Sequence, residues 1–152
     1  MQSFDELSAL PSLFRQGVVG QETNVPSRIL IVDDEPAVAD LIEAVLVGEG
    51  YTVAIARDGA QGLLLARDWR PDLILMDVML PGVDGGTAIR RLKSDPETAE
   101  IPIVAMSAGR TIRRQSDELS EADAALAKPF DIDALLAQVE FHLSRRRSDS
   151  SS

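Results

Sequence analysis

Residues 72–77 read DLILMD: four apolar side chains, Leu73 to Met76, run straight into a carboxylate at Asp77. A strand that is apolar at every position, not at every second one, must be covered on both faces, which is the condition of a parallel sheet packed between helices. A charge ending such a run stands at the edge of the sheet and needs a partner there.

Working outward, the same signature recurs. RILIV at 28–32, YTVAIA at 51–56 and IPIVAM at 101–106 are strand-length apolar runs, and Ala122 to Ala127 is a short, weak fifth one. Helical periodicity fills the intervals. Pro36 to Val47 places Val38, Leu41, Ile42, Val45 and Leu46 on one face, and Ala60 to Asp68 carries Leu63, Leu64 and Leu65. Thr87 to Lys93 follows, then the polar stretch Thr111 to Ser120, then Ile132 to Leu143 with Leu135, Leu136, Val139 and Leu143 along one side. Alternation of this kind predicts an α/β, doubly wound, five-stranded parallel sheet with helices on both faces and right-handed crossovers. Ligands of such sheets bind beyond the carboxyl ends of the strands.

The chain of 152 residues has the size of one domain with short tails. Hydrophobic residues make up 45% and aromatic ones only 4%, so the core must be aliphatic. A formal net charge of -10 argues against nucleic-acid binding by the domain. The absence of cysteine excludes disulfides, cysteine-based zinc sites and thiol nucleophiles. No apolar run approaches the roughly 18–20 residues that cross a bilayer, and Met1 to Leu10 holds Asp5 and Glu6 with no basic residue, unlike a secretory signal. A cytoplasmic protein without membrane contact is expected. Three parts are expected: an N-terminal extension at 1–27, a folded domain at 28–145 and a disordered tail at 146–152. In the extension, Phe4, Leu7, Leu10 and Phe14 have helical spacing, but Pro11 falls inside it. A mobile tail is the plain reading, a docking segment the sharper one.

The strand ends carry the chemistry. The first ends in Asp33 and Asp34, the third in Asp77, the fourth in Ser107 and the fifth in Lys128 followed by Pro129. Crowded carboxylates repel one another, and a hard cation such as Mg²⁺ relieves that through oxygen ligands. One Mg²⁺ and one ammonium together neutralise a phosphoryl group in transfer, and a free carboxylate oxygen of Asp77 can be the nucleophile. Ser107 can donate to a phosphoryl oxygen, and the backbone carbonyl of Met79 can complete the metal shell. Each member has a plainer explanation. Asp33-Asp34-Glu35-Pro36 also reads as a helix start, with Asp34 expected to cap it and ligate metal at once. A lysine is by default a surface residue. The joint occurrence of all four groups at successive strand ends outweighs any one of them.

VDDEP at 32–36, DLILMDVMLPGVDG at 72–85, MSA at 106–108 and AKPF at 127–130 resemble the receiver domain of two-component response regulators, from about Arg28 to Arg145. A single-domain, chemotaxis-regulator-like kind is expected. The resemblance implies a flavodoxin-like fold with strand order 2-1-3-4-5. It also implies phosphorylation of Asp77 by a histidine kinase or histidine phosphotransfer protein. Asp33, through water, and Asp34 would hold Mg²⁺, Lys128 would pair with the phosphoryl group, and a cis peptide bond would precede Pro129. The domain would promote its own phosphorylation and dephosphorylation and signal through a downstream protein target. Homodimers are common in the family.

One departure stands out. The family usually places an aromatic ring three residues before the lysine, and Ala125 stands there, with no rotamer to switch. Phosphoryl chemistry is expected to survive while output avoids the aromatic gate. The alternative function is a receiver-like interaction module that is never phosphorylated. A hydrolase of the haloacid-dehalogenase type would want Asp-x-Asp, and Asp77 is followed by Val78 and Met79. The single histidine, His142, reads as a packing residue of the last helix.

Overall fold

The structure, a computed structural model, describes residues 25–108 and 121–151. In chain order its elements are β1 (Arg28–Val32), α1 (Pro36–Gly48), β2 (Thr52–Ala56), α2 (Gly59–Trp69), β3 (Leu73–Asp77), α3 (Gly85–Ser94), β4 (Ile103–Ala108), β5 (Ala124–Lys128) and α4 (Ile132–Ser151). The apolar stripe expected in the N-terminal extension and the polar helix expected at 111–120 lie outside the described residues.

All five strands are parallel, in the spatial order β2-β1-β3-β4-β5, which is the order 2-1-3-4-5 expected from the sequence. The uniform apolarity of the strands is explained by two cores, one on each face. Leu30, Val32, Ile74, Met76, Ile103 and Ala105 face α2 and α3. Ile29, Ile31, Leu73, Leu75, Val104 and Met106 face α1 and α4. Burying each such aliphatic chain contributes about 1.5–3 kcal/mol, so the sheet is fixed by side chains that alternate between two dry faces.

Helix starts use local carboxylates. Asp58 accepts a hydrogen bond from the Gln61 backbone N–H at 2.8 Å, and Asp84 accepts one from Thr87 at 2.8 Å. Asp131 does the same for Ala134 at 2.7 Å. α1 differs: Glu35 is its N-cap residue and makes no side-chain capping bond, while Pro36 opens the first turn. The capping role expected of Asp34 is therefore absent, and its carboxylate is exposed.

Most boundaries move by one or two residues from the expected ones. β5 starts at Ala124 because Asp123 is held in the preceding turn: its Oδ2 accepts bonds from the Ile103 backbone N–H and from Lys93 Nζ, both at 2.8 Å. The larger correction is at the end. α4 runs through Ser151, well past Leu143 and through residues expected to form a disordered tail. The Arg145 guanidinium stacks 5.6 Å from the centroid of the Phe141 ring one turn earlier, which supports the helix where its charge had suggested a stop.

Candidate functional site

Parallel register brings the strand ends to one rim. Asp77, the last residue of β3, is paired with Met106, so Ser107 lies one step beyond it on β4, opposite Ala127 on β5. Lys128 follows, opposite Ala108. On the other side Asp33 leaves β1 with its N–H bonded to the Ala56 carbonyl at 3.0 Å. Asp33, Asp77 and Ser107 are all buried at this edge, with 0%, 4% and 1% of their surface exposed. Polar groups so deep in an aliphatic fold require partners.

Lys128 is the cationic partner. Its Nζ is 3.1 Å from Asp33 Oδ2, 3.5 Å from Asp77 Oδ2 and 3.6 Å from Glu35 Oε1. Each buried aspartate also turns back on its own backbone. Asp33 Oδ1 accepts from Glu35 N–H at 2.9 Å, and Asp77 Oδ1 accepts from Met79 N–H at 3.1 Å. The Lys128–Pro129 peptide is cis.

Burial dominates the electrostatics of Asp77. Desolvation lifts its carboxyl from 3.8 to about 6, against the Met79 hydrogen bond and the Lys128 charge, with Asp33 adding repulsion. Burial pulls the Lys128 ammonium down, but the Asp77 and Asp33 carboxylates outweigh it and hold the amine above its ordinary value. One ammonium thus faces three carboxylates, and the site is short of positive charge.

Of the residues singled out from the sequence, Asp33, Asp77 and Lys128 come together, with Ser107 and Met79 beside them along the backbone. Asp34 does not join the group. The third carboxylate is that of Glu35, whose oxygen lies with those of Asp33 and Asp77 within 4.8 Å of one another. Sequence reasoning missed Glu35. Its only signal was its position two residues after Asp33, which the helix-start reading had absorbed. All-oxygen donors with a charge deficit suit a hard divalent cation better than a thiophilic one.

The response regulator receiver domain pattern matches residues 29–140. The chain is 45% identical over 119 residues to the DNA-binding dual master transcriptional regulator RpaA of Synechocystis sp., covering 78% of this chain and 49% of that protein. It is 47% identical over 115 residues to the response regulator PleD of Caulobacter vibrioides, covering 74% of this chain and 25% of PleD. Among solved structures, it superimposes on the receiver domain of sensor histidine kinase PA1611 from Pseudomonas aeruginosa, which has a magnesium ion coordinated in its active site cleft. There the TM-score is 0.73 and the identity 32%, over 79% of this chain and 99% of that one. The chain belongs to the receiver domain family of two-component response regulators, as its strand-end motifs had suggested. It spans half or less of the two curated relatives' own length. Among the described residues no helix is long and apolar enough to cross a membrane.

Proposed function

We propose that Asp77 is a phosphoacceptor, loaded in the presence of Mg²⁺ by a histidine kinase or a histidine phosphotransfer protein, and that the phosphorylated domain signals by binding a downstream protein in the cytoplasm. The single observation that carries this reading is the placement of the Lys128 ammonium 3.5 Å from Asp77 and 3.1 Å from Asp33 at the carboxyl edge of the sheet.

In the transfer, an Asp77 carboxylate oxygen forms a bond to phosphorus as the bond from phosphorus to the donor imidazole nitrogen breaks. The electron pair of that bond returns to the imidazole. Asp77 must be ionised to attack; burial opposes this, while the Met79 hydrogen bond and the Lys128 charge favour it. Lys128 moves its pairing from the free carboxylate to a phosphoryl oxygen, and the Ser107 hydroxyl donates to another. Asp33 and Asp34, with Asp77 and the Met79 carbonyl, would hold Mg²⁺. When bound, the ion supplies the positive charge that three carboxylates and a phosphoryl group require. The magnesium ion in the active site cleft of the PA1611 receiver supports Mg²⁺ as the ion by similarity. The acidic group over Lys128 equally supports phosphotransfer over a silent interaction module, which would have no use for buried charge.

The test is direct. Incubation with a small phosphodonor and Mg²⁺ should add one phosphoryl mass to the wild-type protein and none to Asp77→Asn. A mass gain that survives in Asp77→Asn would remove Asp77 as the acceptor.

A further inference from the structure

Four glycines are buried in α2 and α3, namely Gly59, Gly62, Gly85 and Gly86, and none of them has a left-handed backbone angle. Gly59 opens α2. The reason for glycine there is a contact. A Cβ at residue 59 would collide with the carbonyl oxygen of Val83, and would stand 3.0 Å from the Val83 Cβ and 3.1 Å from its carbonyl carbon. Val83 belongs to the loop from Val78 to Asp84 that leaves the phosphoacceptor strand. At its far end Gly85 abuts the Asp77 carbonyl and bonds its N–H to the Val78 carbonyl at 3.0 Å.

We infer that Gly59 is a positioning residue for the acidic site: by letting the start of α2 meet the Val83 backbone with no side chain between them, it sets the height of the loop that carries Met79. The inference deepens the proposed function, because Met79 contributes its carbonyl to the metal shell there and its N–H to Asp77.

The two sides of the contact are unequally held. The start of α2 is tied by the Asp58 cap to Gln61, by the Gly62 N–H to the Asp58 carbonyl at 3.0 Å, and by the Arg57 N–H to Gln61 Oε1 at 2.7 Å. Within the loop, Pro81 and Gly82 are exposed, and Gly82 has a positive φ of 70°. A side chain at residue 59 therefore displaces the loop, not the helix, and the displacement reaches Met79 and the Asp77 carboxylate it touches at 3.1 Å.

The experiment compares Gly59→Ala with Ala66→Gly, a buried change two turns later in the same helix that weakens α2 away from the Val83 carbonyl. Two quantities are read: the Mg²⁺ dissociation constant, with the metal alone as probe, and metal-free hydrogen exchange at the Met79 amide. Gly59→Ala should raise the dissociation constant at least fivefold and speed Met79 exchange at least fivefold, while Ala66→Gly leaves both within twofold. Unchanged exchange and affinity in Gly59→Ala, or an equal loss in Ala66→Gly, overturns the inference. If Gly59→Ala fails to fold, Val83→Gly keeps the backbone contact but gives the loop side of it more conformational freedom, and wild-type Met79 exchange there overturns the inference. If the wild-type protein itself binds no Mg²⁺, the metal assignment fails, and Met79 exchange still decides the role of Gly59.

Discussion

The ammonium of Lys128 stands 3.5 Å from Oδ2 of Asp77, joining two strands that are not neighbours in the sheet. This is the cation that permits two buried aspartates to share one rim. Lys128→Met keeps the aliphatic stem and removes the charge. Leaving buried carboxylates unpaired costs about 3 kcal/mol. Urea unfolding at pH 7.5 without Mg²⁺ should show a loss of that order, shrinking towards pH 5 as Asp77 takes up a proton. A loss independent of pH would mean that Lys128 acts through its stem alone.

Asp77 itself gives the second pH dependence. Its folded carboxyl titrates near 6, above the ordinary 3.8. Between those values the folded state keeps a proton that the unfolded chain has released. Metal-free stability therefore falls as pH rises from about 4 to 6 and levels off above. Asp77→Asn removes this penalty, so it should stabilise the metal-free protein by about 3 kcal/mol at pH 7.5 and by little at pH 4. Added Mg²⁺ should stabilise the wild type and leave the variant nearly unchanged. Equal effects of the substitution at both pH values would contradict burial as the cause.

The strand-end residues were legible because a parallel sheet converts sequence position into place: Asp77 and Lys128 each end an apolar run, and register does the rest. Glu35 was not legible, because its contact with Lys128 depends on which way a long side chain turns across 93 residues of sequence. Gly59 was hidden for a related reason, since its neighbour is a loop carbonyl that no pattern of side chains reveals. The end of α4 was misjudged on composition. Three arginines and a serine-rich stretch suggest a frayed tail, yet the helix continues through Ser151.

The third carboxylate of the metal site separates two neighbours. Asp34 is the proposed ligand and is exposed, while Glu35 leans on Lys128 at 3.6 Å. Glu35 would have to leave that ion pair and fix a longer side chain to ligate, an entropic cost that Asp34 largely avoids. Asp34→Ala should weaken Mg²⁺ binding tenfold or more, and Glu35→Ala less than threefold, by calorimetric titration. The reverse order would transfer the ligand role to Glu35.

Ala125 lies exposed on β5, paired with Ala105 of β4. Its methyl group brings no charge or hydrogen bond to the acidic rim, so Ala125→Tyr should accept a phosphoryl group at the wild-type rate and change stability by less than about 0.5 kcal/mol. A strong change in partner choice on this substitution alone would restore an aromatic gate to the signalling route.

His142 sits on α4 with only 7% of its surface exposed, and its Nε2 is the one buried side-chain nitrogen or oxygen among the described residues with no hydrogen-bond partner. Its ring meets the Phe141 ring edge-on at 5.0 Å. Burial lowers its pKa from 6.5. The Asp123 carboxylate opposes the shift, and the Arg145 and Lys93 charges reinforce it. The folded state thus binds a proton less readily than the unfolded chain. Stability should be full above pH 6.5 and fall as pH drops below it. His142→Leu removes both the unpaired nitrogen and the titration. It should stabilise the domain by about 1 kcal/mol at pH 7 and by more at pH 5.5. A variant less stable than wild type at pH 5.5 would mean that the imidazole is held as a cation by Asp123, against the direction that burial sets.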